Sequence, residues 1–171
     1  MVDCCLFCRA VITYLDIAKM RLGRETNGCS FEMAIQDAFE KWLISKGLKY
    51  IREITVKEVS RRADFIVMKD DSRLINVEAK CNNMSGVIEQ VTDHARYCDY
   101  CFLLLSDIAL IPKWMIRAIR DGGFGLIVYN YKNETITEAL PAFYNKGRDG
   151  KLHKKYIEKI KEKGGQLLCL N

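Results

Sequence analysis

Residues 62–80 read RADFIVMKDDSRLINVEAK, and the reading of this stretch decides the fold. Two apolar runs, 65–68 and 74–77, flank the turn-forming residues Asp70, Asp71 and Ser72, which predicts a β-hairpin. Yet the first run opens on an acid, Asp64, and the second closes on Glu78, Ala79 and Lys80. Side chains alternate along a strand, so Glu78 and Lys80 share a face with Asn76, while Ile75, Val77 and Ala79 take the other. Antiparallel pairing then brings Asp64, at the start of one strand, to Glu78 and Lys80 at the end of its neighbour. Three charges meet at one end of a sheet.

Burying such charges without compensation costs several kcal/mol, on the order of what a single domain can spare. A divalent cation between the carboxylates relieves their repulsion, and oxygen ligands from Asp64 and Glu78 suit Mg2+ or Mn2+. Lys80 is placed to orient or deprotonate a water, or to steady charge developing on a phosphate. The plainer alternative is a Glu–Lys ion pair on a solvated strand, with Asp64 as a turn residue. Asp149-Gly150-Lys151 has the same acid–x–Lys spacing but no strand before it, and reads as a loop.

Around this hairpin the chain has the size of one domain, 171 residues. No window approaches a membrane span, and the apolar start, MVDCCLFCRAVITYL, carries Asp3 and no basic leader. The expectation is an intracellular, cytoplasmic protein with no membrane partner. The formal charge of +5 permits a polyanionic partner without demanding one. Basic residues gather near the C-terminus, at Lys146, Arg148, Lys151, Lys154, Lys155, Lys159, Lys161 and Lys163. Eight cysteines without a leader read as thiols. Cys5/Cys8 and Cys98/Cys101 have CxxC spacing, with Cys4 left over, but buried small hydrophobes are the default reading.

Helices are expected over 9–21, over 30–46 with Ser30 as N-cap and Gly47 as the stop, over 85–98, after Pro112, and over 152–163. Phe31, Ile35, Ala38, Phe39 and Trp42 give the second of these a buried face, and Ile88, Val91 and Ala95 do so for 85–98. Strands are expected over 50–56, 100–105, 124–130 and 135–140 besides the hairpin. The order predicts a mixed sheet flanked by helices, with a parallel pair across the 85–98 crossover. Residues 1–28 form an N-terminal extension, 29–145 the core, and 146–171 a basic helix and tail of the same domain.

Asp64 followed by Glu78-Ala79-Lys80 at the end of the next strand resembles the PD-(D/E)XK nuclease superfamily. The likeness covers about residues 30–105 and extends towards 130. It implies a restriction-endonuclease-like αβββαβ core and a Mg2+- or Mn2+-dependent phosphodiester hydrolase acting on DNA. By resemblance, Asp64 and Glu78 bind the metal, with the Ala79 backbone carbonyl beside them, and Lys80 assists the attacking water. The family's proline before the aspartate is Ala63 here. A first-helix glutamate that reaches the metal in many members, Holliday-junction resolvases among them, corresponds best to Glu32, with Glu40 as the alternative. Glutamine on the following helix corresponds to Gln90. Its helical neighbours His94 and Tyr97 share that stripe, and His94 reads as a surface or half-buried histidine.

No sequence-reading module accompanies the core, so structure-selective or nonspecific cutting of duplex or branched DNA is favoured. Junction cutting implies a homodimer. Lys113, Arg117, Arg120, Lys151, Lys154, Lys155 and Lys159 are the candidate phosphate contacts. Two other readings stand beside this one. The first is a nucleic-acid-binding protein that keeps the fold without cutting. The second is a cysteine-based metal or redox module, built from Cys4, Cys5, Cys8, Cys98, Cys101 or Cys169 around zinc or an iron–sulfur cluster.

Overall fold

A computed structural model describes residues 28–81, 86–107 and 111–163. The expected helix over 9–21, the Phe31 side chain, and Cys4, Cys5, Cys8 and Cys169 lie outside these residues. The elements run α1 (Gly28–Ser45), β1 (Lys49–Val56), a 3-10 turn (Lys57–Val59), β2 (Arg61–Lys69) and β3 (Arg73–Lys80). They continue with α2 (Val87–Ala95), β4 (Tyr100–Ser106), α3 (Lys113–Asp121), β5 (Gly125–Asn130), β6 (Thr135–Leu140) and α4 (Gly150–Lys163). The strands form one six-stranded sheet in the order β1-β2-β3-β4-β5-β6. β3–β4 and β4–β5 are parallel, and the other pairs are antiparallel. This is the expected mixed sheet, and α1 through β4 follow the expected αβββαβ order.

Helices cover both faces. In α1, Ile35, Phe39 and Leu43 recur at helical spacing and pack on Phe65, Val67, Val77, Ala79, Phe102 and Leu104. Gly47, at φ 63°, supplies the left-handed residue that ends this helix. The helix begins at Gly28, so Ser30 lies within its first turn and is not the N-cap. On the opposite face, Val87 and Val91 of α2, Met115 and Ile119 of α3, and Leu152, Tyr156 and Ile160 of α4 pack on Ile54, Val56, Ile66, Leu74, Leu103 and Leu105.

The buried side of α2 differs from the expected one. Val87, Val91 and His94 are buried, while Ile88 and Ala95 are only half-buried. The helix starts at Val87, behind Gly86 in a left-handed conformation at φ 71°. That start turns its inner stripe towards His94, which the hydrogen bond described below makes tolerable in the core.

The sheet also forks. The β2–β3 ladder runs from Lys69–Arg73 only as far as Phe65–Val77. Beyond that rung β2 continues with β1 alone, down to Arg61, and β3 continues with β4 alone, up to Lys80. Level with the split, exposed Glu53 on β1 adopts φ 53°. Across it the strand reverses its faces, so that Ile51 and Ile54 both enter the core under α2–α4.

The far end of β3 is tied by a buried acid. Asp99, just before β4, accepts the Leu74 N–H at 2.7 Å and meets His153 Nε2 at 2.7 Å. Arg148 Nε stands 3.0 Å from its other oxygen, as an ion pair and not an aligned hydrogen bond. One carboxylate thus joins β3, β4 and the start of α4. Asp99→Ala leaves these donors buried without their acceptor and should cost about 3–5 kcal/mol, read from urea unfolding. Asp99→Asn should cost less, because it keeps an acceptor oxygen.

Candidate active site

The fork sets the chemistry. Where the β2–β3 ladder stops, the N–H groups of Asp64 and Ala79 lose strand partners, and side chains take their place. Asp64 Oδ2 accepts the Ala79 N–H at 2.9 Å, and Glu78 Oε1 accepts the Asp64 N–H at 3.4 Å. Each carboxylate is therefore held by the backbone of the opposing strand. Glu78 Oε1 also accepts from Asn76 Nδ2 at 2.8 Å, the same-face neighbour two residues back. Both acids are buried, Asp64 at 5% exposure and Glu78 at 1%.

Charge in this gap is unbalanced. Burial and the charge of Asp64 push the Glu78 carboxyl up to about 8, against the pull of Asn76 and Lys80. Asp64 is raised by burial, against the Ala79 N–H and Lys80. Lys80 is the cation shared by this group, and its Nζ lies 3.2 Å from Glu32 Oε1 on α1. Glu40, the other first-helix acid, instead binds Arg52 at 2.6 Å and the Tyr50 hydroxyl at 2.8 Å. The first-helix acid that reaches the fork is therefore Glu32.

From the other face comes His94, fully buried, with Nε2 3.3 Å from Glu78 Oε1. The Tyr97 hydroxyl is 2.7 Å from its Nδ1. Burial drives His94 down to about 4, against the Arg62 backbone and the charge of Asp93, so the ring is neutral near pH 7. Burial raises the Tyr97 phenol far above its ordinary range. The sequence reading placed His94 at the surface or half-buried, and the structure places it in the core against Glu78. The signal was available in the helical phase, since 87, 91 and 94 fall on one side. Gln90 lies in the first turn of α2, and its buried Oε1 has no hydrogen-bond partner among the described residues.

The donors fit a hard divalent ion. Mg2+ binds through one or two carboxylates and keeps its waters. Asp64 and Glu78 are two such carboxylates whose mutual repulsion a cation would lift. Among the described residues no group of three or more His, Cys, Asp or Glu side chains is arranged to hold a metal ion. Cys98 and Cys101 are buried free thiols, and burial pushes Cys98 well above the ordinary thiol range. Both behave as core hydrophobes.

The basic candidates lie on two helices. Lys113, Arg117 and Arg120 are exposed on α3, beside the exposed Trp114. Lys151 and Lys154 are exposed on α4. Lys155 is paired with Glu58, and the Lys159 ammonium sits 5.4 Å above the Tyr156 ring. Asp149 caps α4, accepting the Lys151 and Leu152 N–H groups at 2.8 and 3.1 Å. Among the described residues no helix is long and apolar enough to cross a membrane.

No family model and no curated protein sequence matches the chain. Among solved structures, the SPO1766 protein of unknown function from Silicibacter pomeroyi aligns with a TM-score of 0.55 at 14% identity, over 85% of this chain and 91% of that one. The MspJI restriction endonuclease, solved in complex with a 27-mer oligonucleotide, aligns with a TM-score of 0.35 at 15% identity, over 90% of this chain and 36% of that one. What the first of these similarities shows is the fold.

The raised carboxyls fix a pH dependence. Glu78 titrates higher in the folded chain than in the unfolded one. Its contribution to stability is therefore complete below the unfolded value of about 4.3 and is lost as pH rises through about 8. In EDTA the wild-type protein should weaken across that window. Glu78→Gln, which mimics the protonated acid, should weaken less, with the two urea-unfolding curves separating by a few kcal/mol, to order of magnitude, at the alkaline end. Parallel curves would contradict the charge crowding described here.

Proposed function

We propose that this protein is a Mg2+- or Mn2+-dependent nuclease that hydrolyses DNA phosphodiester bonds with structure-selective or no sequence preference. The observation that carries the reading is the pair of buried carboxylates facing each other across the fork, with Lys80 two residues beyond Glu78. Two acids held close together where both resist ionisation form a site whose charge a bound cation would balance. The Asp64–Glu78-Ala79-Lys80 pattern and the αβββαβ order support the same reading.

The divalent ion, when bound, supplies Lewis acidity at the phosphate and lowers the pKa of water. Asp64, Glu78 and the Ala79 carbonyl are the groups that would hold it, with Glu32 beside them on Lys80. Lys80, as an ammonium, steers the attacking water and steadies the charge that develops on the phosphate. As the new P–O bond forms, the bond from phosphorus to the departing sugar oxygen breaks, and that oxygen leaves with a proton. Buried walls around Asp64 and Glu78 keep their charges poorly screened, so that a cation is held strongly. Lys113, Arg117 and Arg120 on α3 and Lys151, Lys154, Lys155 and Lys159 on α4 are the proposed contacts to the DNA backbone. Paired cuts in a four-way junction take two sites and hence a homodimer.

The deciding assay offers supercoiled, linear, single-stranded and four-way-junction DNA, with Mg2+, Mn2+ or EDTA. Cleavage should require metal. Asp64→Asn and Glu78→Gln, which keep an acceptor oxygen for the opposing strand's N–H, should abolish it while the protein stays folded. Lys80→Ala should slow it by about 10²–10⁴-fold without loss of Mn2+ binding, because an ammonium is not a ligand. Cutting in EDTA, or normal cutting by both acid variants, would overturn the assignment; metal-independent DNA binding without cleavage would favour a scaffold. For the backbone contacts, Lys151→Ala and Lys154→Ala should each lower the slope of log K against log salt by about 0.9 on duplex DNA. Lys155→Ala should change it less, because its charge already faces Glu58.

A further inference from the structure

Every hydrogen bond and ion contact described for Glu78 ends on one of its oxygens. Oε1 receives Asn76 Nδ2 at 2.8 Å, the Asp64 N–H at 3.4 Å and the approach of His94 Nε2 at 3.3 Å. None falls on Oε2. Asn76 and Asp64 reach Oε1 from the strands, and His94 reaches it from α2. The His94 contact is long and off-line, so Nε2 has no full hydrogen bond among the described residues. Buried nitrogens seldom go without one.

On these contacts, we propose that His94 is a positioning residue for Glu78. Its Nε2–H, with the ring turned by the Tyr97 hydroxyl, loads Oε1 so that Oε2 is the oxygen presented to the metal. This inference rests on the nuclease reading for its consequence but not for its geometry. Two tautomers satisfy the bond between Tyr97 and Nδ1, which either group can donate. Only the one with hydrogen on Nε2 serves an ionised Glu78, because the other would set a lone pair against a carboxylate. Tyr97 is itself fixed, its ring 5.0 Å from that of Tyr156 on α4. Such a partner behind a ligating carboxylate sets its direction and basicity, and its loss weakens metal binding by about 10–100-fold.

The chain has two histidines, so ring-nitrogen NMR of the metal-free protein is readable, with the His94 signals identified by their loss in His94→Gln. At about pH 9, with Glu78 ionised, His94 should carry its proton on Nε2, and Glu78→Gln should shift that nitrogen. A proton on Nδ1 would overturn the inference, and a proton on Nε2 unmoved by Glu78→Gln would overturn it and assign the ring to the Arg62 backbone. Calorimetry with Mn2+ supplies the second arm. His94→Gln keeps an N–H donor near the same place and should bind within about threefold of wild type, whereas His94→Leu, shown folded by circular dichroism, should lose about 10–100-fold. Equal affinity in wild type and His94→Leu overturns the positioning role. If wild type binds no Mn2+ at all, the nuclease reading fails, and the ring-nitrogen result still decides whether His94 holds Glu78.

Discussion

Two side chains standing in for a rung of β-sheet organise this molecule. Asp64 and Glu78 each accept a backbone N–H from the strand opposite, so the sheet can divide without stranding its donors. The division opens a gap at the end of the hairpin that an unbroken sheet would close. Groups from both sheet faces then meet in it. Glu32 arrives from α1 through Lys80, and His94 arrives from α2 against Glu78. The carboxylates pay for their structural role with crowded charge, and the same crowding is what a cation would relieve.

Much of this was legible because short-range patterns carry it. The apolar runs 65–68 and 74–77, with acids at their ends, located the hairpin and its unusual end. Asp70 and Asp71, both at positive φ, form the turn that their composition suggested. Ile35 and Phe39 marked the inner face of α1. The fork left no such trace, since a ladder that stops early changes pairing and not composition. His94 was misread because a polar residue was assumed to face outward. Its burial depends on Tyr97 and Glu78, one just past the end of the same helix and one on a distant strand. Asp99 drew no notice for the same reason, its partners His153 and Arg148 lying some fifty residues further along.

Sequence abundance was a poor guide to role for two residue types. Among the described cysteines, Cys81, Cys98 and Cys101 are buried, and the CxxC spacing of the last two reflects the passage from the end of α2 into β4. Among the C-terminal cations, Arg148 and Lys155 are committed to Asp99 and Glu58. The surface charge open to a polyanion is thus smaller than the run of lysines implies. It is spread over α3 and α4 rather than gathered on one segment.

The reversal at Glu53 bears on how copies of this protein meet. β1 is an edge strand, and an edge that runs flat offers its outer N–H and C=O groups as a template for another chain. The left-handed residue interrupts that row and rolls its two halves out of one plane. On its inner side β1 keeps a single register with β2 across Glu53, so the interruption falls on the outer row. The kink that accompanies the fork thereby also guards this border of the sheet against strand-by-strand aggregation.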